Sequence, residues 1–318
     1  VLIAQKNHKL KEISIDDINK INGFVIASFN SAKTNSINYI KPDFIIEEGE
    51  SFVSLQIFLD RQKSIKSNKQ KNNYELNKVE YLEKAEYLIN KIKSGALSKI
   101  VLSRMLAHKL NKSFQIGELF DNLRVKYPDA FVYLLSSSET SSWIGASPET
   151  LIKIEANKIE TMAVAGTQIL DNYMLNKRWG EKEIEEQRLV SDYIVNLLSG
   201  IGVKNYSVTG PETIRAGKLV HLRTNFSINT ESFNDGIGKF IKGLHPTPAV
   251  CGLPKADAFH LIEKAETHDR HLYTGFIGPW VTKDKSHLFV NLRCAEINDD
   301  KFNVYIGGGL TSDSVAED

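Results

Sequence analysis

The stretch WIGASPETLIKIEANKIETMAVAGT, residues 143–167, limits the folds open to this chain more than any other. Residues from Thr150 to Glu155 alternate between the apolar and polar classes, and a second, mostly apolar run from Ile159 to Ala165 ends at Gly166. The polar residues 155–158 lie between the two runs. The pattern therefore predicts two buried strands joined by a hairpin turn.

Glu149 is an isolated carboxylate at the start of this predicted strand pair. Residues 145–148, GASP, precede it and predict a tight turn of small residues, where a substrate could approach the backbone closely. A lone Glu in a turn is most simply explained as a surface residue. The alternative is a functional carboxylate at the mouth of a buried site.

A second candidate residue, Lys99, begins the apolar run KIVLSRML, which predicts a buried strand. Because side chains alternate between the two faces of a strand, Lys99 and Arg104 should lie on opposite faces and are not redundant. A Lys at the start of a strand is commonly a solvated end residue. The alternative is a desolvated amine that can act as a base.

Two carboxylates fall on a predicted amphipathic helix from Glu181 to Leu198, which Gly200 ends. Glu186 lies on or beside the apolar face of this helix, because it precedes apolar residues by three and four positions. An ordinary surface pair with Lys182 would explain it. The alternative is that Glu186, or the pair with Glu183, is aimed into a site as a ligand for a hard cation. The predicted apolar face contains Leu189, Val190, Tyr193, Ile194 and Leu197.

The end of the chain predicts an anion site. Two strands are expected, at residues 288–297 and 302–306, joined by a turn at residues 298–300. Alternation places Arg293 on one face of the first strand, between Asn291 and Ala295. A buried Arg needs an anion, and glycines 307–309 could turn backbone N–H groups toward the same anion. These glycines are not a dinucleotide-binding motif, because no helix signal follows them.

The remaining chain predicts a mixture of helices and strands. A loop with three prolines, residues 245–254, is expected to be a rigid pocket wall. The basic, Asn-rich run 63–73 predicts a solvated loop rather than a nucleic-acid site, because no aromatic residue interrupts it. The other predicted helices are 79–93, 116–127 and 255–267, and the other strands are 23–28, 52–58, 131–135 and a run starting at 220.

Composition excludes several classes of partner. The 318 residues suffice for one large α+β domain or two smaller ones. Since 40 basic residues nearly balance 39 acidic ones, neither nucleic acid nor an acidic membrane is expected as a partner. No apolar run reaches the roughly 18 residues needed to cross a bilayer. Cys251 and Cys294 lack the spacing of a metal site or a disulfide framework, so we expect a reducing, cytoplasmic location.

In order, the motifs SKIVLSR, GASPE, AVAGT, EKEIEEQ, HPTPAVCGLPKA, DRHLYTG, NLRCAEI and GGGLTSDS resemble those of the chorismate-utilising enzymes. That family includes anthranilate, aminodeoxychorismate, salicylate and isochorismate synthases. The resemblance implies an α+β fold with two packed antiparallel sheets covered by helices, in an α/β/β/α arrangement. It implies a single chorismate-binding domain over residues 1–318, with a divergent N-terminal part, residues 1–78, and a core that carries the motifs, residues 79–318.

The resemblance also implies a reaction on chorismate. Conversion of chorismate to isochorismate adds water at ring carbon 2 while the hydroxyl at carbon 4 leaves. The reaction needs a base, an acid and a positive clamp on the ring carboxylate. By the family pattern Lys99 is the base and Glu149 the acid, and both require a closed site in which an amine can be neutral and a carboxyl protonated.

The family pattern further implies the binding groups. Mg²⁺ would be held by Glu186 or its neighbour Glu183, and such an ion prefers few protein ligands and several waters. Arg293 would bind the remaining carboxylate. His221 matches a family position near the substrate, although a single His on a strand is also explained as a core residue. The full set of expected substrate contacts is Arg293, Gly308, Gly309, Ala165, Gly166, Thr167, His221 and Ala249.

Within the family, two positions and one motif favour isochorismate synthase. Ala165 stands where aminodeoxychorismate synthases carry a nucleophilic Lys, so that covalent route is absent. Ala249 stands where anthranilate synthases carry Thr, and its small side chain leaves room for water as the nucleophile. The HPTPA motif is itself typical of isochorismate synthases. Because water takes the place of ammonia, no glutaminase subunit is expected.

Three alternatives stay open. A salicylate synthase would go on to eliminate pyruvate, and another chorismate-utilising enzyme would form a different product. From a different class, a non-catalytic chorismate-binding subunit would bind without turnover. As an isochorismate synthase, the protein is expected to serve menaquinone biosynthesis, with catechol siderophores as the other destination.

The ends of the sequence depart from the family pattern. The family continues past the glycines into a last helix that carries another Mg²⁺-binding Glu and a substrate-binding Lys, whereas this sequence stops at Glu317-Asp318. It also opens on Val1 rather than Met, with no secretory leader. We therefore expect the natural chain to be longer at both ends.

Overall fold

Antiparallel strands form most of the regular structure in the computed structural model, which describes residues 1–5, 9–46, 75–111, 113–137, 139–170, 179–233, 236–282, 285–298 and 301–317. The predicted strand 52–58 and loop 63–73 lie outside these ranges. The strands are β1 Leu2–Ala4, β2 Lys11–Ser14, β3 Gly23–Ala27, β4 Ser36–Ile40, β5 Phe44–Ile46, β6 Lys99–Lys109, β7 Phe131–Ser137, β8 Ser141–Ser147, β9 Thr150–Glu155, β10 Lys158–Ile169, β11 Tyr206–Ala216, β12 Leu219–Asn229, β13 Gly252–Leu253, β14 Phe276–Thr282, β15 Lys285–Val290, β16 Cys294–Asn298 and β17 Lys301–Leu310.

Four of the described helices agree closely with the periodic stretches of the sequence, whereas the helices Ser31–Thr34 and Ile237–Leu244 were not predicted. The described helices are α1 Ser31–Thr34, α2 Lys78–Lys93, α3 Ile116–Lys126, α4 Glu181–Gly200, α5 Ile237–Leu244 and α6 Lys255–Ala265, with 3₁₀ turns at Ile15–Lys20 and Thr230–Phe233. α2 begins with a capping box, in which the Asn77 side chain accepts from the Glu80 N–H and the Glu80 carboxylate accepts from the Asn77 N–H. On α4 the buried residues are Gln187, Val190, Ile194 and Leu198, which is the predicted apolar face shifted by about one position.

Two large sheets organise the described residues. One has nine strands in the order β11-β12-β10-β9-β15-β14-β3-β4-β2, and the other has six in the order β13-β6-β17-β16-β8-β7. β1 and β5 form a separate pair. Strands β2 to β4, from the N-terminal part of the chain, therefore belong to the same sheet as β9 and β10.

In the described residues, three apolar cores lie between the layers. The largest contains Ile194 of α4 and Phe226 of β12, and so fills the space between the nine-stranded sheet and its helices. A second core packs α2 and α6 against Ile100 of β6. The third contains Ile277 from the larger sheet and Trp143 from the smaller, and so lies between the sheets. This helix, sheet, sheet, helix order confirms the predicted α+β architecture.

Three of the local predictions were wrong, and each misplaced the point at which a strand ends or is interrupted. Residues 145–148 are not a turn: residues up to Ser147 belong to β8, where the missing side chain of Gly145 makes room for the Tyr133 ring. The predicted strand 288–297 is two strands, β15 in the larger sheet and β16 in the smaller, with a break at residues 291–293. Glycines 307–309 do not end β17 but continue it, paired with Ser103, Leu102 and Val101 of β6.

Gly278 in β14 is expected to be intolerant of any side chain. Its φ is +151°, and an added Cβ would lie 2.1 Å from the backbone oxygen of His287 in β15. We predict that Gly278→Ala lowers the free energy of unfolding by at least about 2 kcal/mol, measured by urea denaturation. Gly117→Ala is the control, because a Cβ there meets nothing within 4 Å. Equal stabilities of the two variants would contradict the prediction.

Candidate functional site

A buried ion pair lies at the centre of the candidate site. Lys99, at the start of β6, has no exposed surface, and its Nζ lies 2.8 Å from Oε1 of Glu186 on α4. The interpretation of Lys99 as a solvated end residue was therefore wrong. Arg104 lies on the opposite face, as predicted, and its side chain is 28% exposed near Glu75. Glu186 is not an ordinary surface residue either, since its side chain is only 16% exposed.

Two glycines allow Glu186 to reach this position. A Cβ at Gly309 would lie 2.7 Å from Oε1 of Glu186 and 3.6 Å from Cε of Lys99, so β17 needs a residue without a side chain here. Gly166 has a φ of +70° at a bulge in β10, and its backbone packs against Glu183 and hydrogen-bonds Glu186. Burial raises the pKa of Glu186, but the charge of Lys99 and the hydrogen bond from Gly166 outweigh it, so the pKa is lowered overall.

Glu149 is a second buried carboxyl near Lys99, with opposite properties. It lies between β8 and β9, and only 6% of it is exposed. Burial raises its pKa to about 8, and the positive charge of Lys99 offsets this only in part. Glu149 therefore carries a proton at neutral pH, and the interpretation as a surface residue was wrong.

A positively charged group lies beside these residues. Arg293 sits at the break between β15 and β16 with a φ of +50°, and it is half-buried rather than fully buried as predicted. Its charge, added to burial, lowers the pKa of His221 and favours a neutral imidazole. The Nδ1 of His221 lies 3.0 Å from the Thr167 hydroxyl. Thr167, His221 and Arg293 thus form one cluster, connected through Gly166 to Glu186.

The three glycines of β17 do not share one orientation. A Cβ at Gly307 would approach the Tyr273 hydroxyl, Val101 and Ser103, so Gly307 and Gly309 lie on the Lys99 face of the sheet. A Cβ at Gly308 would instead face the hydroxyl of Tyr81 on α2. Of the predicted pair, Gly309 therefore contacts the site residues, whereas the open face of Gly308 points to the helix layer.

Ala165 and Ala249 lie at the edge of the main core rather than among the charged groups. Ala165 is 6% exposed and belongs to the core cluster under α4, and Ala249 packs against the same cluster. The proline loop that carries Ala249 is held at its start by Lys255, whose Nζ donates to the carbonyl oxygens of Gly243 and His245 at 2.7 and 2.8 Å. These contacts agree with the prediction of a rigid loop.

The carboxylates of the site are the type of ligand that Mg²⁺ prefers. Within the described ranges, no three His, Cys, Asp or Glu side chains lie close enough to hold a metal by themselves. Mg²⁺ does not require such a cluster, because it commonly binds one or two carboxylates and keeps several waters. Glu186 is the better candidate ligand, since its lowered pKa keeps it ionised. The Glu183 carboxylate lies instead near Gly180, at the start of its own helix.

Two residues near the site were not predicted. Tyr127, at the end of α3, lies close enough to Arg293 for its phenol to influence the pKa of the guanidinium, which burial lowers. Tyr273 lies under Gly307 with its ring fully buried. Tyr273 belongs to the DRHLYTG motif, but the motif alone does not predict a role for its Tyr. Nothing in the sequence near Tyr127 distinguishes it from a core aromatic residue.

Comparison with known proteins shows the family of this chain. The family model of chorismate binding enzymes matches residues 21–318, and the chain belongs to that family. It is 25% identical over 248 residues to the vibriobactin-specific isochorismate synthase of Vibrio cholerae, covering 75% of this chain and 62% of that protein. It is 30% identical over 234 residues to the isochorismate synthase MenF of Haemophilus influenzae, covering 70% of this chain and 53% of that protein.

The matches thus span less than two thirds of these relatives' lengths. In fold, the chain is similar to a crystal structure from Bacillus anthracis of a proposed 2,3-dihydroxybenzoate-specific isochorismate synthase, DhbC. The TM-score is 0.79 at 22% identity, over 97% of this chain and 87% of that one. In the described parts of this chain, no helix is long and apolar enough to cross a membrane.

The raised pKa of Glu149 predicts a stability that depends on pH. The folded-state pKa is about 8, against an ordinary value of 4.5. As pH rises from about 4.5 to 8, the carboxyl ionises in the unfolded chain but stays protonated in the folded one, so the free energy of unfolding falls. We expect Glu149→Gln to be more stable than wild type by on the order of 3–5 kcal/mol at pH 8 and nearly equal to it at pH 5.

Thermal and urea unfolding at both pH values would measure this difference. Glu155→Gln is the matched control, because Glu155 lies at the exposed end of the neighbouring strand. A stability gain for Glu149→Gln that is the same at pH 5 and pH 8 would show that Glu149 does not hold a proton in the folded state.

Proposed function

We propose that the protein is an isochorismate synthase, which converts chorismate to isochorismate by adding water at carbon 2 with loss of the carbon 4 hydroxyl. One observation carries the proposal: the buried carboxyl of Glu149, whose pKa burial raises to about 8, interacts with the buried amine of Lys99 in a site that also contains Arg293. Membership of the chorismate binding enzymes and the names of the relatives support it.

Glu149 would act as the general acid. Its pKa of about 8 means that it holds a proton at neutral pH, and burial keeps water from competing for that proton. Protonation of the carbon 4 hydroxyl by Glu149 would convert a poor leaving group into water. This role requires only that the hydroxyl come within hydrogen-bonding distance of the carboxyl.

Lys99 would act as the general base that takes a proton from the attacking water. It has no exposed surface, so the water that it activates would be held by the protein and the substrate rather than by bulk solvent. In the structure its amine is paired with Glu186 at 2.8 Å. Lys99 can therefore act as a base only if its pairing with Glu186 weakens when the substrate binds.

Binding would use the groups on the other side of the site. Arg293 supplies a positive charge for a substrate carboxylate, and the neutral His221 and the Thr167 hydroxyl lie beside it as hydrogen-bonding groups. Mg²⁺ would be held by Glu186, with Glu183 as the other candidate ligand. When bound, the ion would supply positive charge for the ring carboxylate and would compete with Lys99 for the Glu186 carboxylate.

Several finer assignments belong to the same proposal. Gly309, with Gly308, would bring the backbone of β17 close to the substrate, and Ala165 and Ala249 would favour water over an amine nucleophile, so that no glutaminase subunit is needed. Menaquinone biosynthesis is the proposed destination, although relatives include a vibriobactin-specific enzyme. A cytoplasmic location is likewise proposed.

Product analysis tests the reaction. Incubation with chorismate and Mg²⁺ is expected to yield isochorismate, and Lys99→Ala and Glu149→Ala should each lower kcat by about 10²- to 10⁴-fold. Because the acid is lost when Glu149 ionises, kcat/KM should fall as pH rises through about 8. Lys109→Ala, at the exposed far end of β6, is the matched control for Lys99.

Other products would redirect the proposal. Salicylate together with pyruvate would identify a lyase of the same family. Chorismate binding by calorimetry without any product would favour the non-catalytic binding subunit. Full activity in Glu149→Ala would exclude Glu149 as the acid.

The magnesium assignment makes a separate prediction. Glu186→Gln should raise the Mg²⁺ concentration for half-maximal activity by at least about tenfold, and it should weaken Mg²⁺ binding in an equilibrium titration with chorismate present. Circular dichroism must accompany the assay, because loss of the partner of buried Lys99 should destabilise the fold by roughly 3–5 kcal/mol. Glu185→Gln is the control, since Glu185 is an exposed neighbour paired with Arg188. Equal magnesium dependence in both variants would remove Glu186 from the site.

A further inference from the structure

The strand that carries Lys99 has an incomplete edge. On one side, β17 pairs with β6 from Ile100 to Lys109. On the other side, β13 pairs only with Lys99 and Ile100. Just beyond this short pairing, the backbone groups of Val101 and Ser103 on the same edge are buried and need hydrogen-bonding partners.

Two charged side chains supply most of those partners. The Ser103 N–H donates to Oε1 of Glu266 at 2.8 Å, and Nη2 of Arg270 donates to the Val101 carbonyl oxygen at 2.8 Å. The Val101 N–H donates to the Cys251 carbonyl oxygen at 2.7 Å. Glu266 and Arg270 thus take the place that a neighbouring strand would occupy along this part of β6.

The two side chains are also bound firmly to each other. Nη2 of Arg270 lies 2.6 Å from Oε1 of Glu266, and its Nε donates to Oε2 at 2.9 Å. The Glu266 and Arg270 side chains are only 3% and 2% exposed. The Ser103 hydroxyl, which contacts His268 at 3.0 Å, donates a further hydrogen bond to Glu266. Such a fully bonded buried pair has one preferred geometry.

The pair also reaches the proline loop. Nη1 of Arg270 donates to the Val250 carbonyl oxygen at 2.8 Å, next to Ala249. One guanidinium therefore contacts both the strand of Lys99 and the loop proposed to favour water. The ring of Phe29 lies 4.5 Å from its central carbon and covers one face.

We propose that Glu266 and Arg270 are positioning residues that hold Lys99 in its reactive place. The inference rests on the proposed function, because it takes Lys99 as the base. Lys99 is two residues from Val101 on the same face of β6, so a shift of this edge moves the amine relative to Glu149. A misplacement of about 1 Å can cost on the order of a hundredfold in rate.

Arg270→Lys is the sharpest test, because it keeps the positive charge but removes the forked contacts with Val101, Val250 and both Glu266 oxygens. We expect a folded protein with kcat lowered about ten- to a hundredfold and KM for chorismate changed less than about twofold. KM should hold because Thr167 and His221 lie on β10 and β12 and Arg293 lies between β15 and β16, all outside β6. Glu266→Gln, a variant of nearly the same shape, should behave in the same way.

Glu296→Gln is the matched control for a buried carboxylate. Glu296 is 1% exposed and accepts from the Tyr305 hydroxyl at 3.2 Å, on β16 and away from Lys99. This variant should lose thermal stability while keeping kcat. The proposal is overturned if folded Arg270→Lys and Glu266→Gln keep wild-type kcat, or if Glu296→Gln loses as much kcat at equal stability. It is also overturned if neither pair variant folds, because the pair is then needed for the whole fold.

Amide hydrogen exchange separates this inference from the proposed function. In Glu266→Gln, faster exchange should be confined to peptides that cover residues 99–104 and 249–252. A uniform increase across the chain would overturn the positioning role. If the wild type forms no product from chorismate, the proposed function fails, while the local exchange pattern still reports on the pair.

Discussion

A charged amine without exposed surface dominates the structure, because removing an ion from water costs several kcal/mol unless it is paired. Lys99 meets this requirement through Glu186, and much of the local architecture serves that one contact. β17 carries Gly309 where any side chain would collide with the pair, and the bulge at Gly166 lets the start of α4 approach β10. The ion pair therefore joins α4, which packs on the nine-stranded sheet, to β6 of the six-stranded sheet.

The same amine affects two carboxyls in different ways. Glu186, in direct contact with Lys99 and bonded by a backbone N–H, has a lowered pKa and stays ionised. Glu149 feels the charge of Lys99 without such bonds, so burial prevails and its pKa rises to about 8. One closed site thus provides an ionised carboxylate, Glu186, that could bind a cation, and a protonated carboxyl, Glu149, that could donate a proton to a leaving group. Separation of pKa values by environment is what acid–base chemistry near neutral pH requires.

Periodicity predicted many of the elements but missed others, such as β11, β14 and α5, and it did not predict which sheet each strand joins. The helices at 78–93 and 181–200, the hairpin after Thr150 and the opposite orientations of Lys99 and Arg104 followed from the periods of helix and strand. The uninterrupted apolar run at 288–297 concealed a change of sheet, because both halves are buried strands. Residues 145–148 looked like a turn, since small residues serve turns and close strand packing equally well.

Side-chain partners were harder still to predict. Lys99 and Glu149 could be named from the motifs, but nothing local to Glu186 shows that its partner lies 87 positions earlier, as the pairing with Lys99 requires. Glu266 and Arg270, four residues apart after a helix, have the spacing of an ordinary surface pair. Only the tertiary structure shows that they are buried against β6. Long-range pairing of charges is therefore the part of this site that sequence patterns miss.

Two of the places where the chain changes sheets explain why Glu149 and Arg293 come together. Glu149 lies in the passage from β8 of the smaller sheet to β9 of the larger, and Arg293 lies in the reverse passage from β15 to β16. The passages are bonded side by side: the Val290 N–H donates to the Glu149 carbonyl oxygen, and the Leu292 N–H donates to the Ser147 hydroxyl. A further bond joins the Ala146 N–H to the Arg293 carbonyl oxygen. The acid and the cation are thus set by one doubled crossover, so small residues in GASPE and the positive φ of Arg293 are requirements of the site as much as of the fold.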